Sequence, residues 1–74
     1  MADAQPTLGA KIRKARKDTG YNPERFAVAL NISSATLQRW ETDKSAPGLS
    51  KLAAIARFTR LPLQHFLDSV EAAA

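Results

Sequence analysis

Two helix-patterned segments in this chain are separated by only Asn31 and Ile32 before the next capping residue, Ser33. In the first, Asn22 is placed to cap the helix and Pro23 to occupy its opening position, where a missing N–H costs nothing. Tyr21 and Phe26 form a hydrophobic-staple pair around that cap. Phe26, Ala27 and Leu30 make the buried stripe, and Asn31 ends the helix because asparagine tolerates the left-handed region. In the second, Ile32 and Leu37 repeat the staple around Ser33. The helix from Ser34 to Glu41 then buries Leu37 and Trp40. Helices joined by so short a turn cannot lie side by side in antiparallel fashion, so they must cross steeply. Ala27 is small where the two would meet.

Ala27, Asn31, Ile32, Leu37 and Trp40 match the small–turn–apolar pattern of a helix-turn-helix. The rest of the chain is also helical in period, and no stretch alternates with period two over strand length. Thr7 caps a first helix with the stripe Leu8, Ile12 and Ala15, closed by Gly20. Thr42–Gly48 has loop composition. Leu49, Leu52, Ile55 and Ala56 mark a fourth helix, ending near Thr59. Pro62 opens a short fifth, with Leu63, Phe66, Leu67 and Val70. The expectation is an all-α, compact five-helix domain over residues 7–70, with a disordered arm at 1–6 and a frayed tail at 71–74. Seventy-four residues accommodate one core, not two.

Composition removes several classes of function. With no cysteine and one histidine, neither a disulfide framework nor a metal site is expected, and no cofactor is implied. Apolar runs are too short to span a bilayer, and Met1–Pro6 does not resemble a secretory leader. These features fit a cytoplasmic, nucleoid-associated protein. All eleven Lys and Arg residues lie between Lys11 and Arg60, where four acids leave a net +7. A basic body of this kind is the footprint of a polyanion binder or a solvated basic surface. Membrane-surface binding is disfavoured, because the basic first helix carries only Leu8, Ile12 and Ala15 opposite its charges.

The helix from Ser34 has a polar face. At about 100° per residue, with Ser34 at zero, Gln38 falls near roughly 40°, Thr42 near 80°, Ala35 near 100° and Arg39 near 140°. Leu37 and Trp40 lie on the other side, near roughly 300° and 240°. The outward arc suits entry into a DNA major groove: Arg pairs with guanine, Gln with adenine, and Ala meets a thymine methyl. An ordinary solvated face is the plain alternative.

Leu8-Gly9 with Ile12, Tyr21–Lys44, Pro47, and Leu52 with Ile55-Ala56 together resemble the lambda-repressor-like helix-turn-helix proteins of the Cro/cI or Xre type. The match is densest from Glu24 to Ala27 and from Ser33 to Glu41. The resemblance implies a DNA-binding transcriptional regulator, most often a repressor of bacterial or phage type, and no enzyme. It implies base reading by Ser34, Ala35, Gln38 and Arg39, and phosphate contacts from Asn22, Thr42 and Lys44. It also implies a structural salt bridge between Arg16 and Glu41. Double-stranded operator DNA, palindromic in sequence, and a homodimer are the implied partners. Phe58, Leu61, Pro62, Phe66 and Val70 are the candidate self-contacts, with Leu61 and Phe66 equally readable as core.

The departures from the family pattern are local. Pro23 stands where many relatives have a phosphate-binding glutamine, and Asp43 where glycine is usual. Arg60 replaces a small residue. Phe58 and Thr59 invert the common order, which would turn Phe58 outward, and Val28 also faces out. These features leave room for a second reading, a protein-interaction module such as an antitoxin or anti-repressor-like factor. The basic run Lys11–Lys17 is read as a solvated face, His65 as a surface or partly packed histidine, and Trp40 as core. No acid pair or glycine loop carries catalytic chemistry.

Overall fold

The computed structural model describes residues 6–73, with side chains to Val70. Its elements are α1 (Leu8–Asp18), α2 (Pro23–Leu30), α3 (Ser34–Glu41), α4 (Leu49–Thr59) and α5 (Leu63–Ala73), with no strand among the described residues. Three helices begin on side-chain caps. Thr7 accepts from the Ala10 N–H, Asn22 from Arg25 and Ser33 from Thr36. Each satisfies one of the donors a helix start leaves unpaired, worth about 1 kcal/mol. Glycine at the α4 cap, Gly48, supplies no such bond.

The helix ends share one device. Gly20, Asn31, Asp43 and Arg60 have φ of 87°, 59°, 62° and 60°. Behind each, two backbone N–H groups turn back to the last helical turn. Gly20 and Tyr21 bond to the carbonyls of Lys17 and Arg16, and Asn31 and Ile32 to those of Val28 and Ala27. Asp43 and Lys44 bond to Trp40 and Arg39, and Arg60 and Leu61 to Arg57 and Ala56. This is the paired 6→1 and 5→2 closure of a Schellman motif. In three of the four, the next residue is Tyr21, Ile32 or Leu61, which folds back onto the core. The same apolar residue therefore closes one helix and introduces the next.

Between the helices lies a core of Ile12, Ala15, Phe26, Ala27, Leu30, Leu37, Trp40, Leu52, Ile55, Ala56 and Phe66. The Tyr21 and Phe26 rings meet with centroids 5.1 Å apart, which fixes how the chain enters α2. Lys51 donates to the Leu30 carbonyl at 2.6 Å, placing a cation at the carbonyl end of α2. Lys11 donates to the His65 carbonyl, in the first turn of α5, at 2.7 Å and ties α1 to α5.

Three expectations need correction. Phe66, a candidate self-contact, has no exposed surface and belongs to the monomer's own core. Phe58 is half-buried against that core instead of turned outward. Thr59 takes the deeper position beside it, its hydroxyl donating to the Ile55 carbonyl at 2.6 Å so that the buried oxygen is not orphaned. Finally, α5 continues to Ala73 instead of ending at Val70, because alanine is the best helix former. The arm expected at 1–6 lies outside the described residues except for Pro6, as does Ala74 of the tail.

Two substitutions test this architecture. A Cβ on Gly9 would press into the Trp40 carbonyl oxygen, with the Asp43 carboxylate and Glu41 carbonyl oxygens each 2.8 Å away. Gly9→Ala should therefore lower unfolding free energy by about 1–3 kcal/mol in a urea titration. Arg60, neither Gly, Asn nor Asp, holds a left-handed conformation. Arg60→Gly should raise stability by about 0.5–1 kcal/mol, despite the greater freedom it gives the unfolded chain.

Candidate nucleic-acid interface

Ser34, Ala35, Gln38, Arg39 and Thr42 are all exposed, while Leu37 and Trp40 are buried. The outer arc of α3 is thus free of cover from the rest of the described chain. Its start is held by Ser33, whose hydroxyl accepts from the Thr36 N–H at 3.0 Å and donates to the Thr36 hydroxyl at 2.9 Å. At its end, the Thr42 hydroxyl donates to the Gln38 carbonyl at 2.7 Å. That bond leaves the oxygen's lone pairs outward but occupies its proton. Asn22 and Lys44 are exposed, Asn22 with its side-chain oxygen already accepting from Arg25 at 2.8 Å.

The pose of α3 depends on one buried ion pair. Arg16 Nε donates to Glu41 Oε2 at 2.7 Å, and Nη2 to Oε1 at 3.3 Å. The third arm, Nη1, reaches the Tyr21 carbonyl at 2.9 Å. Side-chain exposures are 7% and 9%, so water screens this pair little. One guanidinium in its fork geometry holds α1, the turn before α2, and the end of α3 together.

A second link joins the same parts. The Asp43 carboxylate accepts from the Gly9 N–H at 2.9 Å. Its charge, which from the sequence stands beside the expected phosphate path, is directed at the positive N-terminus of α1. The missing side chain at Gly9 is what lets α1 approach this closely.

The basic run on α1 is not one uniform face. Lys11 bonds to α5, Lys14 pairs with Asp18 at 3.0 Å, and Arg16 is committed to Glu41. Arg13 instead lines a groove with Pro23, Glu24, Ser34, Gln38 and Thr42. A helical wheel of α1 alone could not show this, because the neighbours across the groove belong to α2 and α3. His65 sits edge-on to Phe66 with centroids 5.1 Å apart. Among the described residues no group of three His, Cys, Asp or Glu could hold a metal ion, and no helix is long and apolar enough to cross a membrane.

The packing of α2 against α3 across the Asn31–Ser33 turn, with an exposed polar face on α3, agrees with comparison to known proteins. The family profile described as helix-turn-helix, HTH_3, matches residues 12–66. The chain belongs to this family. Among curated proteins no relative matches. Among solved structures, the crystal structure of the clp gene regulator ClgR from C. glutamicum is similar in fold, with a TM-score of 0.75. The two are 22% identical, over 92% of this chain and 88% of that one.

Removing one member of the Arg16–Glu41 pair strands the other's charge in the interior. Arg16→Met alone should cost about 3–5 kcal/mol in denaturant unfolding. The double variant Arg16→Met/Glu41→Leu should recover most of that loss. If the single variant were as stable as the native chain, the pair would have no such role.

Proposed function

We propose that this protein is a sequence-specific DNA-binding transcriptional regulator, a repressor of bacterial or phage type, that reads an operator through the major groove. The observation that carries this reading is the uncovered Ser34–Ala35–Gln38–Arg39 face of α3, set on a helix-turn-helix. Arg39 is the strongest base reader of the four, since a guanidinium can pair with both guanine O6 and N7. Lys44, Asn22 and Thr42 flank it as backbone contacts. Because Thr42 has its proton engaged and Asn22 its oxygen, the weight of the phosphate contact falls on Lys44 and on the free amide of Asn22. No step of this function calls for catalysis, a metal or a cofactor.

One such module reads few base pairs, and a two-fold dimer on half-sites one turn apart supplies the rest. With Phe66 committed to the core, the self-contact falls to Val70, which is 41% exposed, to Pro62, and to the half-buried Leu61 and Phe58. A protein-interaction role is the second reading. Val28 supports it, 79% exposed beside Tyr21, Arg25 and Ala29 on the outer side of α2.

Selection from a random duplex pool should return a palindromic consensus. Arg39→Ala should cost about 1–3 kcal/mol of affinity for that site and relax one base position. Lys44→Ala should weaken all duplexes alike and reduce the salt dependence. Unchanged preference in Arg39→Ala would remove the base-reading assignment, and a stoichiometric protein partner with no DNA binding would favour the second reading. Sedimentation that finds a monomer both free and on the selected site would dispose of the dimer.

A further inference from the structure

Four charged side chains line the groove between α1, the start of α2 and α3: Arg13, Arg16, Glu24 and Glu41. Arg16 and Glu41 neutralise each other across 2.7 Å. Arg13 is exposed and, among the described residues, makes no hydrogen bond or ion pair. It is therefore the one uncommitted cation of the groove, and it stands on the wall facing Ser34, Gln38 and Thr42.

The opposite wall is poorly suited to an anion. A helix N-terminus holds phosphate through free N–H groups and its positive end. At the start of α2, Pro23 has no N–H, the Arg25 N–H is already taken by Asn22, and Glu24 adds a negative charge. A nucleic-acid backbone entering this groove meets attraction from α1 and repulsion from α2.

We infer that Arg13 is a phosphate clamp, holding the sugar-phosphate strand against the α1 edge of α3 while Glu24 keeps it off the first turn of α2, leaving the Asn22 amide, outside the groove lining, as that helix's contact. The inference rests on the DNA-binding reading above and deepens it by assigning the residue that sets where the backbone runs beside the reading helix. A guanidinium suits the task, since its fork can donate two parallel bonds to one phosphate. The contact carries no sequence information; it fixes position.

The test is fluorescence polarisation of the full chain against two labelled duplexes, one recovered by selection and one of arbitrary sequence, across a salt series. Arg13→Gln should weaken both by a similar factor, on the order of tenfold at low salt. It should also lower the slope of log affinity against log salt by about 0.9. Arg13→Lys should retain the slope, and Glu24→Gln should tighten binding to both duplexes. Lys14→Gln, one residue along and paired outside the groove, should leave the slope as it was. Since Arg13 is exposed, the circular dichroism melting curve of Arg13→Gln should overlay the native one. If Arg13→Gln keeps the native slope, or Lys14→Gln loses as much as Arg13→Gln, the clamp is overturned while the DNA-binding reading stands. If the native chain binds neither duplex, both fall.

Discussion

The orientation of α3 rests on the Arg16 guanidinium, which is buried and has each of its three nitrogens engaged. An eight-residue helix has little stability of its own in water. What keeps α3 in place is Leu37 and Trp40 beneath it and the bond from α1 at its end. Because that bond is made by a charge pair shielded from water, neither partner can leave without stranding the other. The constraint is therefore directional as well as energetic. It defines where the end of α3 lies relative to α1 and to the turn that launches α2.

The Gly9–Asp43 contact completes the same constraint from the other end of α1. The C-terminal side of α3 is then joined to α1 twice, once by a side-chain pair and once by a carboxylate on a backbone amide. Both links lie behind the outer face of α3. Among the described residues the side chains of Ser34, Gln38 and Arg39 are left without internal hydrogen-bond partners while their carrier is held fast, an arrangement suited to recognition by a rigid element. The α1 helix serves as more than packing: its Arg16 holds the reading helix, and its Arg13 opens into the groove beside it.

Much of this was legible in the residues because the signals were local. Caps at Thr7, Asn22 and Ser33 and the stops at Gly20 and Asn31 act within one turn of the chain, so spacing alone marks them. The outward arc of α3 followed from helical geometry and the position of two apolar residues. Contacts between distant elements were harder. The Arg16–Glu41 pair came into view through family resemblance, and Asp43 looked like an unfavourable surface charge because Gly9 lies 34 positions away. Arg13 was indistinguishable from its lysine neighbours until α2 and α3 were set beside it. Phe66 could not be separated from the surface candidates by periodicity, since Leu63, Phe66, Leu67 and Val70 share one apolar face of the terminal helix and spacing alone does not say which of them the core takes.

The recurring way in which the helices close has a kinetic consequence. Each stop is decided by a residue and its nearest five predecessors, and in three cases the following apolar residue starts the next turn of chain on its course. The stops themselves need no remote segment, whereas the links from α1 to α3 and α5 join positions 25 to 54 residues apart. Helical domains rich in local contacts fold in about microseconds to milliseconds, and locally decided stops of this kind favour such a rate. Speed of that kind limits how long the apolar stripes stand exposed during synthesis, before neighbours can aggregate on them.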